Sequence, residues 1–306
     1  MIILILIVLA VIFVGAYYAY RIAFFSPAEN REKIPSLDGT AYEPYRDHIT
    51  EMFDKLISRP YEAVYITSHD GLKLFGRYYH TADGAPLAIG FHGYRSSYLT
   101  DFCGGSDLCI SQGQNLLLVD QRAHGRSEGK TISFGIQERR DLLSWVHYAL
   151  DRFGSDTHIL LYGVSMGAAT VLMASGEDLP CNVKGIVADC PYAVPEDIIV
   201  DVGKKMRFPT GFTKPFARLG ARIYGGFNLN ETDAIRAVKK TNVPILIIHG
   251  SDDSFVPAAM SEQVQNANPD MVRRFTFPGA GHAMSYLVDT PRYWEIVTAF
   301  LKEVLA

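Results

Sequence analysis

Short apolar runs alternate with helical stretches through most of the chain, and this alternation restricts the possible folds more than any other feature. Near-continuous apolar strands separated by helices are typical of a parallel sheet covered by helices on both faces. The predicted strands are residues 86–91, 115–119, 158–162, 185–188, 244–248 and 274–277. The predicted helices are residues 98–112, 136–153, 165–175, 232–240, 258–266 and 290–304. The pattern therefore predicts an α/β fold with a mostly parallel sheet.

Two segments of the predicted domain, residues 61–306, depart from the alternation. Near its start, apolar residues alternate on both sides of Asp70-Gly71, which predicts a β-hairpin. Later, residues 196–230 are rich in Phe, Gly and Arg and are longer than a crossover between two strands requires. We interpret this second segment as a helical insertion that caps the end of the sheet.

The first 20 residues are strongly apolar and contain no charged side chain. Roughly 20 helical residues cross a hydrocarbon core of about 30 Å, and Tyr17, Tyr18 and Tyr20 would then lie at the headgroup level. A cleaved signal peptide is the alternative, but such peptides usually have a basic start and a small-residue cleavage site, neither of which is found here. We expect residues 1–20 to form an uncleaved, single-span anchor in the cell membrane.

The segment after the apolar run, residues 21–60, is expected to be a tether followed by an amphipathic helix. Its basic residues Arg21, Arg31 and Lys33 follow the span, and the positive-inside rule then places the C-terminal domain in the cytoplasm. Export of the domain is the alternative. The apolar residues that recur at helical spacing are Tyr45, Ile49, Met52, Phe53 and Leu56. These residues are expected to cover an edge of the domain.

Charge and cysteine content exclude several classes of protein. Lys and Arg total 29 against 33 Asp and Glu, for a net charge of −4, so there is no basic excess to bind nucleic acid. The four cysteines, Cys103, Cys109, Cys181 and Cys190, are too few and too spread out for a disulfide scaffold. Without a C-x-x-C pair a zinc site is not expected, and we predict no metal and no cofactor. The thiols are expected to be ordinary buried residues.

A serine between two glycines follows one of the predicted strands. Gly163-Val164-Ser165-Met166-Gly167 comes directly after an apolar run and opens a helix of small residues. A serine at such a strand-to-helix turn needs a strained backbone, and flanking glycines remove the clashes that the turn would cause. The alternative is an ordinary glycine-rich turn. The context favours Ser165 as a nucleophile.

A nucleophilic serine needs a base and a carboxylate that orients this base. Asp252 and Asp253 follow the predicted strand 244–248, and His282 follows the strand 274–277. Catalytic groups of open α/β sheets gather at the carboxyl ends of strands. The order serine, aspartate, histidine along the chain is the one expected for this architecture. Asp252 is expected to have a turn role.

These residues belong to five short sequence motifs. The motifs are HGYRSS at 92–97, DQRAHGRSEG at 120–129, GVSMG at 163–167, HGSDDSFVP at 249–257 and GAGH at 279–282. The chain resembles a serine hydrolase of the α/β-hydrolase fold, in the membrane-anchored branch related to the serine aminopeptidase group. The family pattern H-G-x-x-D-x-x-V-P selects Asp253, so the implied triad is Ser165, Asp253 and His282.

The resemblance also assigns donors for a developing oxyanion. The backbone N–H of Met166, next to the nucleophile, is one donor, and the backbone N–H of Tyr94 is assigned as the second. The loop 120–129 is expected to brace this site, with Ala123 at a position where the family more often has glycine. The histidines expected to hold loops are His92 and His249. His124 is expected on the loop surface, and a position at the mouth of the site is the alternative.

The cap insertion carries two groups of residues, each of which can be interpreted in two ways. Its aromatic residues are Phe208, Phe212, Phe216, Tyr224 and Phe227. They either line an acyl pocket or pack the cap on the sheet, and packing is favoured. Its basic residues are Lys204, Lys205, Arg207, Lys214, Arg218 and Arg222. These residues form either a solvated face or a contact with anionic lipid headgroups.

The function predicted from these features is hydrolysis of carboxylic esters through an acyl-enzyme intermediate. A serine peptidase of the aminopeptidase type is the runner-up, and it would need an acidic anchor for the substrate amine, for which Glu196, Asp197 and Asp201 are candidates. A membrane-associated thioesterase or acyltransferase, and a non-catalytic binding protein of the same fold, are also compatible with the sequence. The expected partners are a small ester or peptide substrate and the membrane, with no nucleic acid; the oligomeric state is left open.

Overall fold

A single twisted sheet organises the chain in the computed structural model, which describes residues 1–27 and 36–306. Eight strands of these described residues pair in the order β1-β2-β4-β3-β5-β6-β7-β8. The strands are β1 (Glu62–Thr67), β2 (Lys73–Tyr79), β3 (Leu87–Phe91), β4 (Asn115–Asp120), β5 (Ile159–Val164), β6 (Val183–Asp189), β7 (Ile245–Gly250) and β8 (Val272–Phe277). The hairpin β1–β2 and the pair β2–β4 are antiparallel, and all other neighbours are parallel. The predicted mostly parallel sheet is confirmed.

Helices cover both faces of the sheet. They are α1 (Ile2–Ala23), α2 (Arg46–Ser58), α3 (Tyr98–Ser111), α4 (Glu138–Phe153), α5 (Met166–Ala174), α6 (Pro195–Lys205), α7 (Thr210–Ile223), α8 (Ala234–Val238), α9 (Ala258–Ala267), α10 (Ser285–Val288) and α11 (Thr290–Val304). In β4, Leu117 and Val119 belong to one buried cluster, whereas Leu116 and Leu118 belong to a second. Alternate residues of a strand point to opposite faces, so two separate cores lie on the two sides of the sheet.

The bounds of the predicted elements shift by at most two residues, and two short helices show differences with an evident cause. Helix α8 begins at Ala234 and not at residue 232, because the Asp233 side chain caps it by accepting a hydrogen bond from the backbone N–H of Arg236. Helix α10 was not predicted, since four residues are too few to show a helical period. The cap insertion contains α6 and α7.

The amphipathic helix expected in the tether is present as α2. Its buried residues are Ile49, Met52, Phe53 and Leu56, which pack in the second core beside α3. Residues 28–35 of the predicted tether, including Arg31 and Lys33, lie outside the described residues. The expectation that all four thiols are buried is wrong for Cys181, which is exposed in the turn before β6.

The N-terminal half of helix α1 is exposed, whereas its C-terminal half packs against the domain. Ile2 is 73% exposed, whereas Ala16 and Phe24 are fully buried. The buried half packs against α7, where a Cβ at Gly220 would lie 2.6 Å from the carbonyl oxygen of Ala16. The glycine therefore permits a close helix contact. By length and composition α1 could cross a membrane, a test that a signal sequence also passes.

Candidate active site

Ser165 lies on a strained turn between β5 and α5. Its φ and ψ are +54° and −112°, which is an unusual conformation for a residue other than glycine. A Cβ at Gly163 would collide with the backbone of Gly167, and a Cβ at Gly167 would collide with the carbonyl of Phe91. The two glycines are thus required by close backbone approach. The turn places the serine at the N-terminus of α5.

The structure brings the three residues of the predicted triad together. His282 Nε2 lies 2.9 Å from Ser165 Oγ, and His282 Nδ1 lies 2.7 Å from Asp253 Oδ2. Both distances are within hydrogen-bond range. Asp252 is exposed and its carboxylate accepts a hydrogen bond of 2.6 Å from Ser251. The neighbouring aspartates therefore have different surroundings, and only Asp253 contacts the histidine.

Several donors hold the Asp253 carboxylate in its ionised form. The backbone N–H groups of Phe255 and Val256 donate to Oδ1 at 2.9 and 2.8 Å. His249 Nε2 lies 3.2 Å from Oδ2. Burial acts to raise the pKa of Asp253, but the hydrogen bonds from His249, His282 and Val256 outweigh burial and keep the pKa well below its ordinary value. His249 thus supports the carboxylate in addition to its expected role in holding the loop.

The backbone N–H groups of Tyr94 and Met166 are open to a ligand. Within residues 1–27 and 36–306 neither group has a hydrogen-bond partner. Both residues line the same cavity as Ser165. This position is suitable for donors to an oxyanion, as the resemblance implied.

Side chains on both sides of Tyr94 fix its loop. The Asp101 carboxylate accepts hydrogen bonds from the backbone N–H of Gly93 at 2.6 Å and from Ser96 at 2.7 Å. His124 Nε2 accepts from the backbone N–H of Arg95 at 3.0 Å. His124 is 3% exposed, so the expected surface position is wrong. Asp101 was not predicted from the sequence, although its place in the first turn of α3, four residues after the HGYRSS motif, was a signal.

The loop 120–129 braces the same region. The backbone N–H of Gln121 donates to His92 Nε2 at 3.1 Å, and the Gln121 amide donates to the His92 carbonyl oxygen. Asp120 accepts from Arg77 at 2.7 Å and from the backbone N–H of Arg126 at 3.0 Å. These bonds agree with the bracing role expected for the loop and with the loop-holding role expected for His92.

A cavity of about 350 Å³ extends from Ser165 between the cap and α1. Phe208, Phe212 and Phe216 of the cap line this cavity, so the expectation that they pack on the sheet is wrong for these three. The reason is that α7 packs against α1, which leaves a space between the cap and Ser165. Phe227 is instead buried against Phe24, with the ring centroids 5.3 Å apart.

The acidic residues Glu196, Asp197 and Asp201 of α6 are absent from the described lining of the cavity, and two of them are paired with basic residues. Glu196 is buried, and its carboxylate binds Lys214 at 2.6 Å and also Arg218. Asp201 pairs with Lys204 at 2.7 Å. Among the described residues that line the cavity, none is Glu196, Asp197 or Asp201. These residues are poorly placed to anchor a substrate amine.

Two groups of described residues place three possible metal ligands within 4.8 Å of one another. They are Cys190, Asp253 and His282, and also His69, Asp70 and Asp141. In the second group the guanidinium of Arg122 already binds both carboxylates, at 3.0 and 2.6 Å. In the first group the aspartate and histidine bond each other, and burial raises the pKa of the Cys190 thiol. Neither donor set favours a metal over the contacts that it already makes.

Asp189, at the end of β6, lies in a second cavity of about 210 Å³. Oδ2 accepts a hydrogen bond of 3.0 Å from Tyr293, whereas Oδ1 is buried without a partner among the described residues. Burial raises the pKa of Asp189 to about 6, and the Tyr293 bond opposes this only in part. Burial therefore favours the protonated form more strongly in the folded state than in a free carboxyl group, while the ionised form still predominates at neutral pH.

Replacing Asp189 by asparagine is expected to make stability less dependent on pH. A carboxyl whose pKa is raised in the folded state stabilises below its unfolded pKa and loses this contribution as pH rises through the folded value. Between pH 4.5 and 7.5, the free energy of unfolding of the wild type should fall by about 2 kcal/mol more than that of Asp189→Asn. Urea unfolding of both proteins at the two pH values measures this difference. If the free energies of unfolding of the two proteins differ by the same amount at both pH values, the pKa of Asp189 is not raised by folding.

Comparisons with known proteins agree with this architecture. A family model for the alpha/beta hydrolase fold matches residues 91–234. The uncharacterized protein YqkD of Bacillus subtilis is 27% identical over 297 residues, which cover 96% of this chain and 94% of that protein. The bifunctional esterase/perhydrolase DCH of Acinetobacter calcoaceticus is 24% identical over 258 residues, which cover 72% of this chain and 93% of that protein. The solved structure of the Pyrococcus furiosus esterase Pf2001 matches with a TM-score of 0.65 and 25% identity, covering 81% of this chain and 93% of the esterase.

The family match, the esterase structure and the strand order together show that the chain has the α/β-hydrolase fold. This fold supports a hydrolase. The narrower resemblance to the membrane-anchored, aminopeptidase-related branch stays a prediction, as do the catalytic roles of the site residues.

Proposed function

We propose that the protein is a serine hydrolase that cleaves carboxylic esters through an acyl-enzyme. The observation that carries this proposal is the hydrogen-bonded series from Ser165 through His282 to Asp253 at the floor of an apolar cavity. Such a series activates a hydroxyl that is a poor nucleophile on its own. The open N–H groups of Tyr94 and Met166 beside it supply the second requirement of acyl transfer, which is stabilisation of an oxyanion.

The reaction follows from the geometry. His282 Nε2 removes the proton of Ser165 Oγ while Oγ bonds to the ester carbonyl carbon, and the carbonyl oxygen becomes an oxyanion held by the two N–H groups. The C–O bond to the alcohol then breaks, and His282 gives its proton to the leaving alcohol. Water attacks the acyl-enzyme in the same way, releasing the acid and restoring Ser165. Asp253 stays ionised throughout and stabilises the imidazolium.

The cavity favours esters over peptides with a free amine. Among the described residues that line it, Arg95 bears the one charged side chain, whereas an aminopeptidase needs an acidic anchor. Glu196 is neutralised by Lys214 and Arg218. The names of the Acinetobacter and Pyrococcus proteins, both esterases, agree with this choice.

A labelling experiment with a graded substrate panel tests the proposal. A fluorophosphonate probe is expected to modify Ser165 of the full chain, and p-nitrophenyl esters should be hydrolysed with kcat/KM at least roughly tenfold above that of aminoacyl amides. Turnover of the amides alone would favour the peptidase. Folded protein that is neither labelled nor active would favour a binding protein, and transfer of the acyl group to an added alcohol or thiol would favour the acyltransferase.

A further inference from the structure

The wall of the cavity that faces the cap is formed by α1, the apolar N-terminal helix. Gly15, Ala19, Ile22 and Ala23 line the same space as Ser165. These residues lie on the half of α1 that packs against the domain on one side. A segment that hydropathy alone treats as an anchor is thus part of the substrate cavity.

The end of α1 is bonded to the loop that carries the proposed oxyanion donor. The Tyr94 hydroxyl donates to the carbonyl oxygen of Ala23 at 2.9 Å. The Arg95 guanidinium donates to the carbonyl oxygens of Ile22 at 2.9 Å and Phe25 at 3.1 Å. Ile22 and Ala23 lie in the last turn of α1, where the helix leaves its carbonyls without a partner in the helix. The position of α1 and the position of the Tyr94 backbone are therefore linked.

The other half of α1 exposes a continuous apolar surface that points away from the domain. Leu9 is 45% exposed and Phe13 is 46% exposed. On the cap beside α1, Phe212 is 62% exposed and also lines the cavity. Exposed apolar surface of this extent is typical of contact with lipid. The cavity therefore adjoins the surface that is suited to a bilayer.

We infer that α1 is retained in the working protein, enters a lipid bilayer and forms the acyl-binding wall of the site. The substrate class is a long-chain carboxylic ester held in that bilayer, with its acyl chain between α1 and the cap helices α6 and α7. This inference rests on the proposed ester hydrolysis. Removal of α1 as a signal peptide would take away the wall and the partner of Tyr94.

A substitution in the wall tests the acyl-binding role of α1. Ala19→Phe fills the cavity, whereas Ala10→Phe makes the same change in the exposed half of α1. The full chain is assayed in phosphatidylcholine vesicles with p-nitrophenyl palmitate and p-nitrophenyl butyrate. Since each buried methylene contributes up to about fourfold in binding, Ala19→Phe should lower the palmitate-to-butyrate ratio of kcat/KM by roughly tenfold or more. Ala10→Phe should leave the ratio within about twofold.

A second measurement uses the wild-type chain and so does not depend on a variant that folds. A hexadecyl fluorophosphonate with a diazirine at the end of its chain is attached to Ser165 and then irradiated. Crosslinks to residues 15–23 are expected. Crosslinks only elsewhere, or a ratio unchanged in Ala19→Phe, would overturn the inference while ester hydrolysis stands. Absence of Ser165 labelling by this probe and by a short one would overturn the proposed function instead.

Discussion

Ser165→Ala is expected to abolish fluorophosphonate labelling and to lower kcat/KM for p-nitrophenyl butyrate by a factor on the order of 10⁴ to 10⁶. The hydroxyl oxygen is the atom that forms the acyl-enzyme, and alanine offers no substitute. The cavity and the open N–H groups stay in place, so substrate binding should be kept. Labelling followed by mass spectrometry, together with steady-state kinetics, measures the effect.

Ser254→Ala is the matched control for this substitution. Ser254 is exposed on the loop that carries Asp253, and its substitution removes the same hydroxyl group. Its kcat/KM should stay within about twofold of the wild type. Substantial ester hydrolysis by Ser165→Ala would mean that another nucleophile acts, and the proposed mechanism would fail.

Asp253→Asn is expected to lower kcat by about 10⁴ with little change in the fold. The asparagine oxygen can still accept from the backbone N–H groups of Phe255 and Val256, which leaves its NH₂ group facing His282 Nδ1. Nδ1 must then accept a hydrogen bond, and the proton of the neutral ring moves to Nε2. A protonated Nε2 cannot remove the proton of Ser165, so acylation is blocked. Single-turnover kinetics with the butyrate ester report this step.

The neighbouring aspartate supplies the comparison for this substitution. Asp252→Asn changes a carboxylate that is exposed and bonds only the Ser251 hydroxyl among the contacts described for it. It should retain kcat within about threefold. Equal losses in the two variants would show that the loop as a whole, and not the bond from Asp253 to His282, is required.

The sheet and the convergence of Ser165, Asp253 and His282 were accessible from sequence because both depend on local patterns. Apolar runs define the parallel strands, and residues just after such strands gather at one edge of the sheet. The glycines on either side of Ser165 mark a turn that tolerates no Cβ at those positions. Order along the chain and strand ends were thus enough to bring Ser165, His282 and an aspartate to one edge of the sheet, whereas the choice of Asp253 over Asp252 came from the family resemblance.

Contacts between elements that are far apart in the sequence could not be predicted from local patterns. His124 has the sequence context of a surface loop, and its burial follows from the loop of Tyr94 and Arg95 folding over it. Phe212 and Phe216 were expected to pack the cap on the sheet, but α7 packs against α1 instead. Hydropathy also treats residues 1–20 as one segment, whereas burial divides α1 near Gly15. Each of these features depends on three-dimensional neighbours that no local pattern encodes.

The division of α1 has a consequence for how deeply the protein would sit in a bilayer. Residues 2–14 project from the domain, and at 1.5 Å per residue they reach about 20 Å. This length is less than the roughly 30 Å of a hydrocarbon core. A protein held by α1 would have to immerse the rim of its cap, with Phe212 and Tyr18, below the headgroups. Membrane thickness would then govern how easily an ester bond in the lipid layer comes level with Ser165.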